Sequence, residues 1–154
     1  MTDRIPALRE AIEKILPEVD GVIGLKSGPA GIVAPHLFQK ENLDELAQLA
    51  IWPKEPVPDT LKIIQKAYPE AKLAIVCRGC EERGIVEMFK HAQNKLEQVT
   101  LIGLQCVHEE ATFCRCAKPF TVHAKITVGE PIEGVPDPLT EAFAAKSLAE
   151  KLAF

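Results

Sequence analysis

The sequence predicts a single α/β domain over residues 1–154. Its sheet is mainly parallel with helices on both faces, and cysteine-rich loops lie at the carboxyl ends of the central strands. Three observations predict this. "KLAIVC" (72–77) and "QVTLIGLQC" (98–106) are apolar runs of buried-strand type. Between them, "EERGIVEMFKHAQNKL" (81–96) has helical patterning, so strand, helix and strand form a βαβ unit. The chain has no internal repeat, low-complexity tract or composition break to mark a domain boundary.

The elements follow in order. "IPALREAIEKIL" (5–16) puts Ile5, Leu8, Ile12 and Leu16 on one helical face, and Pro17 ends the helix. "DGVIGLKSG" (20–28) reads as a short strand and turn. "GIVAPHLF" (31–38) reads as a second strand; Pro35 has no N–H to donate, which confines the strand to a sheet edge. "NLDELAQLAIW" (42–52) reads as a short helix capped by Asn42. The prolines of "WPKEPVPD" (52–59) demand a loop. Asp59 or Thr60 then opens a helix over "TLKIIQKAY" (60–68), which Pro69 closes. In the central helix Ile85, Met88 and Phe89 form the inward stripe. "HAKITV" (123–128) is a strand and "GEPIEGVPDP" (129–138) a loop. A last helix, 138–154, has Asp137 as cap and Pro138 at its first position.

Composition excludes several function classes. Apolar residues make up 47% and charged residues 26% of the chain, close to an ordinary globular domain, so global disorder is excluded. The net charge of −4, with no basic run interleaved with aromatics, argues against nucleic acid as a partner. No apolar stretch approaches the roughly 18–20 residues that cross a bilayer, so no membrane insertion is expected. The N-terminal segment carries acids and reads as an amphipathic helix, not a signal peptide, which points to the cytoplasm. Stable disulfides are rare there, and clustered thiols bind metal or do redox chemistry.

The five cysteines are the chemically informative residues. Ligands in parallel sheets bind at the carboxyl ends of strands. Cys77 and Cys80 lie at the end of the first central strand and Cys106 at the end of the second. Cys114 and Cys116 follow in a loop that can fold over the same rim. Five thiols from three segments are thereby expected to converge on one point. Four thiolates suit tetrahedral zinc or an iron–sulfur cluster. The spacing, C-x2-C then C-x7-C-x-C, is neither the paired zinc-ribbon pattern nor the bacterial ferredoxin run. Cluster, zinc, a thiol redox site and five unrelated buried thiols all remain open on spacing alone. His108, two residues after Cys106, is a candidate replacement ligand. His36, His91 and His123 read as surface or satisfied core residues. Glu81-Glu82 suit the start of a helix. With Glu109-Glu110 they flank the expected rim, and both pairs read as docking charges for a basic partner.

The stretch "IVCRGCEERGIVEMFKHAQNKLEQVTLIGLQC" (75–106) resembles the beta-subunit family of coenzyme F-420-reducing hydrogenases and dehydrogenases. Related iron–sulfur proteins accompany formate dehydrogenases and heterodisulfide reductases in anaerobes. Arg78-Gly79-Cys80 with Arg83 matches one family element, and Gly103 with Cys106 matches another. "DGVIGLKSGPAGIVAPHLFQKENLDEL" (20–46) is similar to the segment that precedes them. Glu81 stands where the family has Asp, and the stretch after Glu45 lacks a cysteine that relatives carry. The resemblance implies a 4Fe–4S cluster, with Cys80 and Cys106 as ligands. Cys114 and Cys116 complete the chosen set, leaving Cys77 as strand packing or a neighbouring thiol. Arg78 and Arg115, beside these ligands, are the candidate cofactor-binding residues that would stabilise a reduced cluster; the alternative reading of both is as solvated loop arginines. Full-length relatives also bind flavin; without G-x-G-x-x-G and at this length, flavin is not expected in this chain alone.

The expected role is single-electron transfer without substrate chemistry. Its partners are a flavoprotein and the hydrogenase or dehydrogenase subunits of an anaerobic oxidoreductase complex. The alternatives are a zinc-stapled interaction module and a reductase subunit with a reactive thiol.

Overall fold

The computed structural model describes residues 4–28, 32–47, 57–135 and 137–153. The first helix, α1 (Ile5–Ile15), starts on Ile5-Pro6 and buries Leu8, Ala11, Ile12 and Ile15. The strand β1 (Gly21–Ser27) follows, then β2 (Val33–Phe38), antiparallel to it at the sheet edge, where Pro35 lies opposite Leu25. The edge position expected from Pro35 is the observed one.

The helix expected over 42–52 does not form in its described part. Residues Lys40–Glu45 make 3-10 turns, and Asn42 departs from helical geometry (φ −121°, ψ 17°). Asn42 lies inside this segment rather than before it. Its side chain accepts the Gln39 backbone N–H at 2.8 Å. Leu46 then turns extended and begins β3 (Leu46–Ala47), which pairs antiparallel with Lys26 and Leu25. Burial of Leu46 against β1 outweighs local helix propensity here. Residues 48–52 and most of the expected proline loop lie outside the described residues.

Next come α2 (Val57–Ala67), β4 (Leu73–Cys77), α3 (Gly79–Lys90) and β5 (Val99–Leu104). The strands β1, β4 and β5 run parallel, with Ile23 opposite Ile75 and Cys77 opposite Gly103. All five residues of β4 are buried, as both faces of a central parallel strand must be. On one face, α2 and α3 pack on each other and on β1, β4 and β5; α1 lies against β3, β5 and β6 (Ile126–Val128). That last strand is parallel to β5 and closes the order β2-β1-β4-β5-β6.

Two helices are shorter than the sequence suggests. Helix α3 stops at Lys90, and Ala92 takes a left-handed conformation (φ 54°). The buried Asn94 then donates back to the Ile85 carbonyl at 3.0 Å. Ile85 is fully buried, but Phe89 is 45% exposed, so the inward stripe is narrower than expected. Between β5 and β6 the chain forms α4 (His108–Cys114). The terminal helix is two helices, α5 (Pro138–Ala144) and α6 (Leu148–Leu152), because Ser147 caps a new start by accepting from Glu150 N–H. Asp137 caps α5 as expected, accepting from the Leu139 N–H. No described helix is long and apolar enough to cross a membrane.

Neither α5 nor α6 buries a residue. Removing residues 138–154 should therefore change unfolding stability by less than about 1 kcal/mol, since stability comes from buried contacts. A urea titration with a clearly lowered midpoint would contradict this.

Candidate metal centre

Three segments meet beyond the carboxyl ends of β4 and β5. In the first, Arg78 is extended (φ −85°, ψ 169°) and α3 begins at Gly79, so Cys80 lies in the first helical turn. The second is Gln105-Cys106, leaving β5. The third is the end of α4: Cys114 is its last residue, Arg115 is left-handed (φ 47°), and Cys116 follows. The segment expected as an open loop after Cys106 is thus half helical.

Cys80, Cys106, Cys114, Cys116, Arg78 and Arg115 all line one cavity of about 310 Å³. These are the six residues selected from the sequence. Glu110, Ala117 and Pro119 complete the wall. Cys77 is not part of it; this thiol is fully buried in the hydrophobic core. Burial, then the charges of Glu81 and Glu82, push the Cys77 thiol far above its ordinary range. The expected convergence is therefore of four thiols rather than five, and around a cavity rather than on a point. Among the described residues, no group of three or more His, Cys, Asp or Glu side chains is arranged to hold a metal ion. A larger hollow of about 660 Å³, lined by residues such as Glu13, Pro17 and Lys40, contains no cysteine.

Exposure grades across the four thiols. Cys106 is buried, Cys80 and Cys116 are half-buried, and Cys114 is exposed. Burial pushes the Cys106 thiol up to about 12; Glu110 adds to the effect and Arg78 opposes it. Burial also works against the charge of Arg78, but Glu81 outweighs it and holds the guanidinium above its ordinary range. Arg78 Nη2 lies 3.0 Å from Glu81 Oε1, and Glu81 Oε2 accepts the Arg78 backbone N–H at 2.7 Å.

What holds the third segment is the strap 118–124. Glu82 accepts the backbone N–H groups of Val122 at 2.8 Å and His123 at 2.7 Å. Gln105 accepts the Thr121 N–H at 3.0 Å and donates to Thr121 Oγ1 at 3.2 Å. The Cys106 N–H donates to the Pro119 carbonyl at 3.0 Å. Two glycines make room for this strap. A Cβ on Gly79 would stand 2.1 Å from the Phe120 carbonyl oxygen, and one on Gly103 would stand 2.1 Å from Thr121 Oγ1. Behind the cavity, Glu110 pairs with Arg4 at 2.7 Å, and Arg4 also donates to the Gln105 carbonyl.

The acidic pairs are mostly not docking charges. Glu81, Glu82 and Glu110 are buried and hold the site together; of the four, Glu109 is exposed. An unpaired buried carboxylate is costly, and these three have partners. His108 is exposed and does not line the cavity. The sequence reading missed Arg4, Gln105, Thr121 and the roles of Glu82 and Glu110. One signal for Glu82 was present: it stands three residues before Ile85, on the inward face of α3.

No protein-family model matches the chain. Over 88 residues it is 35% identical to the F420-dependent formate dehydrogenase 1 subunit beta of Methanococcus maripaludis, covering 57% of this chain and 22% of that one. A chain from the xenon-derivatized F420-reducing [NiFe] hydrogenase complex of Methanosarcina barkeri shares the fold. Its TM-score is 0.51 at 16% identity, over 67% of this chain and 36% of that chain. The resemblance to the beta-subunit family is thus borne out over part of the chain. This chain spans about a fifth of the formate dehydrogenase subunit and about a third of the hydrogenase chain.

Glu82→Ala should lower unfolding stability by about 2–4 kcal/mol, because two backbone N–H groups lose a charged acceptor together. Glu82→Gln, which keeps one acceptor oxygen, should lose less. Equal, near-zero losses in chemical denaturation would show that the strap does not depend on this carboxylate.

Proposed function

We propose that this chain binds a 4Fe–4S cluster through Cys80, Cys106, Cys114 and Cys116. It passes single electrons as a subunit of a hydrogenase- or formate-dehydrogenase-type oxidoreductase complex. One observation carries the reading: four thiols from three separate segments line the same cavity, and the fifth does not. The partial similarity to a formate dehydrogenase beta subunit supports the setting.

The donor set fits a cluster better than a single ion. One tetrahedral zinc needs all four sulfurs at about 2.3 Å from one point. A cluster spreads its four cysteines over separate irons, so it accepts thiols spaced around a cavity. When bound, the cluster supplies one-electron exchange. The protein's own groups do the rest. Glu81 and the start of α3 hold Arg78 at the cavity wall. Arg115, and Arg78 paired with Glu81, line the cavity beside a centre whose thiolates are negative. Arg4 neutralises Glu110 on the same wall. Exposure at Cys114 opens one side towards a docking partner. Partners of this kind are a flavoprotein or a dehydrogenase subunit, met in the cytoplasm.

Serine variants separate the ligands from the spare thiol. Cys80→Ser and Cys106→Ser, purified without oxygen, should lose most of their iron and become less stable, because ligation ties two strand ends together. Cys77→Ser should keep near-normal iron. The wild-type protein should give an electron paramagnetic resonance signal on reduction and recover on reoxidation without losing iron. Full iron in Cys80→Ser and none in Cys77→Ser would overturn the ligand set. Stoichiometric zinc in place of iron would overturn the electron-transfer role.

A further inference from the structure

We infer that Arg83 fixes Cys116 in place and raises the redox potential of the centre; this rests on the cluster reading above. Arg83 follows Cys80 by three residues on α3, so both side chains leave the same helical face. Its Nη1 donates to the Lys118 carbonyl at 3.0 Å, and its Nη2 reaches Cys116 Sγ at 3.9 Å. One guanidinium therefore bridges the helix that carries one thiol to the segment that carries another. The planar fork suits this, because it presents two donors at a fixed angle.

The charge setting distinguishes Arg83 from its neighbours. Arg78 faces the carboxylate of Glu81, which offsets its positive charge. Arg115 lies near Asp137, whose carboxyl is held below its ordinary range chiefly by Thr140, with a smaller contribution from Arg115. Among the described residues, the acceptors of Arg83 are a carbonyl and a sulfur, neither of which cancels a full charge. Reduction brings one electron from a reductant into the centre, and no covalent bond of the protein forms or breaks. The added negative charge spreads onto the cysteine sulfurs. A cation hydrogen-bonded to one of them stabilises the reduced state more than the oxidised state. Arg83 is thus a positioning residue for Cys116.

The test is an anaerobic potentiometric titration with dithionite, followed by electron paramagnetic resonance, on wild-type, Arg83→Gln and Arg83→Lys chains. Iron and acid-labile sulfide are measured on each. Arg83→Gln should retain the cluster with a lower midpoint potential, and Arg83→Lys, which keeps the charge, should fall between it and wild type. A loaded Arg83→Gln chain with the wild-type midpoint overturns the inference while leaving the cluster reading intact. If Arg83→Gln loses its iron, Arg83→Lys decides: a shifted midpoint supports the inference and an unchanged one overturns it. If both variants are empty, folded chains by circular dichroism support the positioning of Cys116, and unfolded chains overturn it. A wild-type chain without iron ends the cluster reading, and this inference with it.

Discussion

The two hydrogen bonds that Glu82 accepts from Val122 and His123 are the constraint on which the candidate centre depends. Cys80 and Cys106 leave the ends of neighbouring strands, so the parallel sheet alone brings them together. Cys114 and Cys116 have no such guarantee. They belong to a short helix and its exit, joined to β6 by the strap that Glu82 holds. The strap lies close because Gly79 and Gly103 present no side chain to it. Both glycines belong to the motifs that carry the family resemblance. Their physical role is to admit backbone and a threonine where a methyl group would collide.

Buried ion pairs surround the thiols. Glu110 lines the cavity, and Glu81 pairs with Arg78, which lines it too. Burial chiefly, with the carboxylate of Glu110 adding to it, disfavours the ionised form of the Cys106 thiol. Arg4 and Arg78 each take up one carboxylate's charge. Ligation by all four cysteines, as proposed, would require them to lose their protons, and four thiolates need positive charge beside them. Metal coordination supplies such charge directly, because a bound metal is the largest local charge in its site.

The parallel core and the rim where four cysteines line one cavity were legible in the sequence, because both rest on local pattern. The apolar runs 72–77 and 98–106 have no alternative to burial. A helix between two parallel strands forces their ends onto one rim. Cys77 lies inside the core because it continues the β4 apolar run. What the sequence hid are long-range polar bonds. Arg4 finds Glu110 across more than a hundred residues, and Glu82 finds the strap forty residues on. No periodicity encodes such pairs. For the same reason the acidic pairs looked like surface charge: an acid in a helix's first turn has a sufficient local explanation. The helix expected from Asn42 failed because pairing of Leu46 with β1 overrode local propensity.

The central claim is that three chain segments hold one cluster through four cysteines, and metal stoichiometry tests it most directly. Iron, zinc and acid-labile sulfide should be quantified per chain in protein prepared wholly without oxygen. The account predicts roughly four irons and four sulfides per chain, with zinc at trace level. One zinc per chain without sulfide, or a folded chain that takes up no metal on reconstitution, would contradict it.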